Sequence, residues 1–159
     1  MMKTKSSTLG AAAAALLAIT FIPAILQAQE RTIYPEKADV RTEIRQALEK
    51  ATREHKRVIL DFGGNWCGDC RVLDANFHKE PNASLLKDNF VLVDVNIGHF
   101  DLNQAIAAKY SVPLEKGVPA LAVLDSHGKV LYSQKNGEFE SMRTMDPSSV
   151  TDFLKRWKG

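Results

Sequence analysis

Cys67 and Cys70, the two cysteines of the chain, are spaced by two residues in the run Trp66-Cys67-Gly68-Asp69-Cys70. A bond between them closes too small a loop to constrain an unfolded chain much, so the spacing argues for chemistry over structural stapling. A helix is predicted over residues 67–77, which places Cys67 at its N-terminus and Cys70 one turn on. There, unpaired amides and the helix dipole favour a thiolate, making Cys67 the nucleophile. Its attack on a substrate disulfide leaves a mixed disulfide that Cys70 can resolve, and the reverse sequence oxidises a substrate dithiol. The competing reading is half of a zinc site. That site needs two further ligands, yet there is no second cysteine pair, and His55, His78, His99 and His127 show no paired-ligand spacing. No metal and no tightly held cofactor is implied.

The elements that must position this pair follow from periodicity. Over residues 39–56, Val40, Ile44, Ala47, Leu48 and Ala51 recur at helical spacing among charged residues. Residues 58–62 form a short apolar run closed by Gly63-Gly64, which suits a buried strand leading into the cysteine helix. Pro81-Asn82 punctuates that helix before a second helical stretch at 83–88, and residues 90–95 read as another buried strand. Asp101 can cap a helix through Leu102, Ala105, Ile106 and Ala108 to Tyr110, which Pro113 stops. Strands at 120–124 and 130–133 flank the turn residues 125–129, and Asp146-Pro147 opens a last helix through Phe153 and Trp157. The order predicts an α/β domain over 39–159, a mixed central sheet with helices on both faces, preceded by an extension at 29–38.

The chain resembles the thioredoxin superfamily through Asp61-Phe62, the Trp66-Cys67-Gly68-Asp69-Cys70 run and Gly117-Val118-Pro119-Ala120 before a hydrophobic strand. The resemblance spans roughly residues 40–157 and implies a thioredoxin-like fold and thiol-disulfide oxidoreductase activity. It implies that Asp61 lies buried beneath the pair and moves protons to and from the resolving thiol. Burial would raise its pKa towards the working pH. Pro119 matches the family's cis-proline, and Trp66 and Val118 would line the substrate groove with it. Two departures stand out: Asp69 occupies a position usually held by proline in thioredoxins, and Gly63-Gly64-Asn65 replaces the usual approach to the tryptophan. A carboxylate between the cysteines opposes thiolate formation at Cys67 while favouring the helix N-terminus, so its net effect depends on where it points, and the expected pair is comparatively reducing. Residues 111–116 form a longer link than the thioredoxin one and would lie beside the active site.

The chain has 159 residues, with 45% hydrophobic and 25% charged residues, the composition of a single globular domain. Its start differs from the rest: Lys3 and Lys5 precede an apolar run to Leu26, broken only by Gly10, Thr20 and Pro23. This is the pattern of a secretory signal cleaved after Ala28, with an uncleaved membrane anchor as the alternative. Removing residues 1–28 takes two of the 21 basic residues and none of the 19 acidic ones, leaving 19 of each. A neutral domain without a basic stripe offers no footprint for nucleic acid.

Export, one redox pair and one domain together predict a monomeric periplasmic carrier. It would reduce or exchange protein disulfides and, by the family resemblance, be recharged by a membrane electron donor. A disulfide oxidase or isomerase is the rival within the enzyme class, because the same motif runs in either direction. A thioredoxin-fold binding module with incidental thiols is the rival outside it.

Overall fold

Helix α1 (Val40–Glu54) begins where Asp39 caps it: Asp39 Oδ1 accepts from Thr42 N at 3.3 Å and Oδ2 from the Thr42 hydroxyl at 2.8 Å. Val40, Ile44, Ala47 and Ala51 form its buried stripe. The computed structural model describes residues 31–159, so the signal or anchor read at 1–28 lies outside the described residues. Among the described residues no helix is long and apolar enough to cross a membrane.

Strand β1 (Arg57–Gly63) runs one residue further at each end than the apolar run, because Arg57 pairs with Phe90 and Gly63 with Asn96 of β2 (Phe90–Asn96). Between the two strands lie α2 (Gly68–Phe77) and α3 (Asn82–Asn89). After β2 come α4 (Gln104–Lys109), a 3-10 turn at Leu114–Lys116, β3 (Ala120–Leu124), β4 (Val130–Ser133) and α5 (Ser148–Trp157). The sheet order is β2-β1-β3-β4, with β1 parallel to β2 and antiparallel to β3, and β3 antiparallel to β4.

Alternation along β1 splits the core into two layers. Val58, Leu60 and Phe62 pack with the buried faces of α1 and α4, whereas Ile59 packs with Leu73 and Phe77 of α2 and with Val150, Phe153 and Leu154 of α5. Helices thus cover both faces of a mixed sheet, the predicted architecture. Being central and covered on both sides, β1 is buried from Val58 to Gly63.

One element begins differently. Asp101 does not cap α4: its Oδ1 accepts from His99 N at 2.8 Å, and Asn103, at φ 53°, takes the cap position without a side-chain capping bond, its Nδ2 donating instead to Asn96 O at 2.7 Å. A short acid side chain can close a local turn as readily as it caps a helix, and here the turn won. Leu102 is accordingly 43% exposed, and Ile106, Ala107 and Tyr110 carry the burial.

Candidate functional site

Cys67 is the N-cap of α2 and is joined to Cys70 by a disulfide, with Cα atoms 5.2 Å apart. Its Sγ accepts from Cys70 N at 3.1 Å, an unpaired first-turn amide turned towards the sulfur. Cys67 retains 5% exposure and Cys70 none, so Cys67 is the outer sulfur. Facing it is the cis Val118–Pro119 bond, whose Val118 carbonyl oxygen lies 3.6 Å from Cys67 Sγ.

Asp61, on β1, is 1% exposed and is linked to the surroundings of the pair through Tyr34. Its Oδ2 accepts from the Tyr34 hydroxyl at 2.9 Å, while Oδ1 is buried without a hydrogen-bond partner among the described residues. Burial, then the neighbouring Asp94 charge, push the Asp61 carboxyl well above the usual carboxylate range, and the Tyr34 bond pulls it partly back. Asp94 is the partner of Asp61 in the parallel register, and its own pKa is raised to about 6, chiefly by burial and then by Asp74. Such an acid can hold a proton at neutral pH and exchange it.

Tyr34 comes from the segment read as an extension, yet it is fully buried. Asn65 holds it there: Oδ1 accepts from Ile33 N and Tyr34 N, each at 3.1 Å, and Nδ2 donates to Tyr34 O at 2.8 Å. Gly63 makes room for this arrangement. A Cβ on it would collide with the Tyr34 hydroxyl and come within 2.9 Å of Cys70 Sγ, so tyrosine and resolving sulfur converge over a bare backbone.

The rim is aromatic. Trp66 is 47% exposed, donates from Nε1 to Gly98 O at 2.6 Å, and stacks on His99 at 5.5 Å between ring centroids. Phe100 leans on it and also lines a groove of about 610 Å³ with Val112, Leu114 and Gly117, next to the cis-proline loop. The longer 111–116 link is therefore one wall of that groove. Of the residues expected to line a substrate groove, Trp66 presents a broad surface, whereas Val118 is 7% exposed and contributes its backbone carbonyl.

Residues 134–147, between β4 and α5, strap the two halves of the site together. Gln134 is buried, donating to Pro119 O at 3.2 Å and accepting from Leu121 N at 3.2 Å. Further along, Arg143 reaches Asp69 of the cysteine run with its amide, at 2.9 Å, and its guanidinium, at 3.1 and 2.9 Å. The first and largest influence on Asp69 is that guanidinium bond, which holds its carboxyl below the usual range. Tyr34, Gln134 and Arg143 are site residues that sequence reasoning missed. None belongs to a local pattern, and only Tyr34, a lone aromatic before Pro35 in a polar stretch, gives even a faint signal.

A family model described as thioredoxin-like matches residues 39–126. A crystal structure of a disulphide isomerase from Xylella fastidiosa has a TM-score of 0.77 at 37% identity, covering 80% of this chain and 98% of that one. Among curated proteins, a protein disulfide-isomerase of Datisca glomerata is 23% identical over 67% of this chain and 19% of its own length. A thiol:disulfide interchange protein DsbD of Pseudomonas fluorescens is 27% identical over 72% of this chain and 18% of its own. This chain thus spans under a fifth of either curated protein.

Proposed function

This chain belongs to the thioredoxin-like family, and from that premise we propose that it is a thiol-disulfide oxidoreductase reducing or exchanging disulfides of exported proteins. The observation that carries the reading is the Cys67–Cys70 disulfide at the start of α2, its outer sulfur facing a cis-proline loop. The relatives named for disulfide isomerisation and interchange support it.

In the reducing direction the Cys67 thiolate attacks one sulfur of a substrate disulfide, and the other sulfur leaves as a thiolate that takes a proton from solvent. Cys70 gives its proton to Asp61 and attacks Cys67 Sγ, releasing the second substrate thiolate. Two electrons pass to the substrate and the enzyme ends as the Cys67–Cys70 disulfide. Trp66 supplies an apolar platform for the substrate chain, and Val118 and Pro119 present backbone to it. Residues 1–28 act as an export signal, so the mature protein works as a periplasmic monomer, and a membrane electron donor returns its disulfide to the dithiol.

Isomerisation is the second reading, favoured by the Xylella relative. The first attack is the same, but a thiol of the substrate displaces Cys67, so Cys70 is dispensable. The Cys70→Ser variant separates the two. Net reduction of a disulfide substrate should fall to background while mixed disulfides through Cys67 accumulate. Unimpaired rearrangement of a scrambled protein by this variant would favour isomerisation, and failure to trap any partner would remove the enzyme reading. A reduction potential near about −270 mV supports the reducing direction, and one near about −120 mV reverses it.

A further inference from the structure

Asp69, the acid between the two cysteines, is 8% exposed although it sits at the first turn of a surface helix. It is covered because Arg143 grips it from three directions: the Arg143 amide on Oδ1 at 2.9 Å, Nε on Oδ2 at 3.1 Å, and Nη2 on Oδ2 at 2.9 Å. The guanidinium lies over Gly68 as well, since a Cβ on that residue would stand 3.8 Å from Arg143 Cζ, Nε and Nη1. The cation therefore rests against the residue that follows Cys67.

We propose that Arg143 is a positioning residue for the cysteine pair: by holding and neutralising the Asp69 carboxylate, it removes the negative charge that opposes Cys67 as the attacking thiolate. The proposal rests on Cys67 being the nucleophile. An unpaired carboxylate here would repel a thiolate and compete with it for the first-turn amides. Tied to Arg143, the carboxylate is part of a neutral pair, with the guanidinium on Oδ2 and the Arg143 amide on Oδ1, and the Cys70 amide is left to Cys67 Sγ. The strap that delivers Arg143 is fixed at its other end by the Gln134 contacts to Pro119 and Leu121, so the pairing is built into the scaffold. Among the described residues, other ionisable groups in this region include Asp61, Tyr34 and Asp94 on the buried side, and Asp74 and Arg71 on α2, of which Arg71 donates to Asn65 O. Glu140 stands against Gly117, and His99 stacks on Trp66.

The test is the pH dependence of iodoacetamide alkylation at Cys67 in the reduced full chain, for wild type, R143A, R143Q, D69N and the R143A/D69N double variant. The Arg143 side chain is 68% exposed, so truncation opens no cavity, and R143Q retains a donor should the alanine variant misfold. Both single Arg143 variants should raise the apparent Cys67 pKa by about one unit, roughly tenfold less thiolate at a fixed lower pH. The double variant should return to within about threefold of wild type, because no carboxylate is left to neutralise. Arg143 variants within about twofold of wild type would overturn the proposal, and so would a double variant that keeps the tenfold deficit. A wild-type Cys67 no more reactive than a free thiol would sink the parent reading together with this one. A reactive Cys67 that Arg143 does not move sinks this one alone.

Discussion

Asp69 and Asp61 flank the same pair of cysteines, and their surroundings drive them in opposite directions. Asp69 sits in the rim, gripped by an Arg143 side chain that is largely in solvent, and its carboxyl stays ionised. Asp61 sits on the buried strand β1 with a tyrosine hydroxyl and a second acid for company, and burial pushes it towards the protonated form. One residue type is therefore held as a paired charge at one position and pushed towards its neutral form at the other. The difference lies in solvent access and in whether a cation is near.

The largest effect expected from breaking this comparison is kinetic. Asp61→Asn should slow resolution of the mixed disulfide about a hundredfold, the scale of a lost proton acceptor, while stability at neutral pH rises. The sign follows from linkage. An acid whose folded pKa is raised contributes fully below its unfolded value and loses that contribution as pH rises through the folded one. Asp69→Asn should do the reverse and lose stability at neutral pH, since a lowered folded pKa contributes above the unfolded value and fades as pH falls. Stopped-flow resolution rates and denaturant midpoints would read both. Matching stability changes in the two variants would dissolve the contrast.

Gly63→Ala comes next. Its methyl would meet the Tyr34 hydroxyl and Cys70 Sγ, and overpacking of this kind costs about 1–3 kcal/mol, visible in the urea midpoint. An alanine tolerated without loss would mean the two groups have room that the geometry denies them.

Asp94→Asn sharpens the buried side. The wild-type pKa of about 6, against about 3.9 unfolded, means stability present below about pH 4 is lost as pH rises to about 6, by about 2 kcal/mol. The variant should flatten the stability curve over that window, and an unchanged slope there would assign it to other groups. Tyr34→Phe is the smallest step. It removes one hydrogen bond worth about 1 kcal/mol, and it should move the pH profile of resolution to the alkaline side, because that bond holds the Asp61 pKa down and its loss lets the pKa rise. A profile that stays in place would reduce Tyr34 to packing.

Much of the site was legible because it is local. Cys67 at the helix start and Cys70 a turn later follow from spacing along one strand–turn–helix unit, the strands and helices follow from periodicity, and Asp61 on the preceding strand was singled out by the family resemblance. The Asp101 misreading is the local case that failed, because a turn and a cap compete for the same carboxylate within a few residues. Tyr34 and Arg143 were illegible for another reason: their partners lie 27 and 74 residues away in sequence.

By itself the sequence determined the order of elements, the mixed α/β architecture and the identity of the reacting thiols, since patterns of two and 3.6 residues and a CxxC spacing are written along the chain. Tertiary structure alone decided the charge state of the acids around them. Whether an aspartate keeps its proton depends on which segments fold over it. Asn65 draws residues 33 and 34 across the buried side, while the 134–147 strap brings a guanidinium to the rim. Those two packings, and not the letters at positions 61 and 69, leave one aspartate buried with a raised pKa and the other paired with a guanidinium.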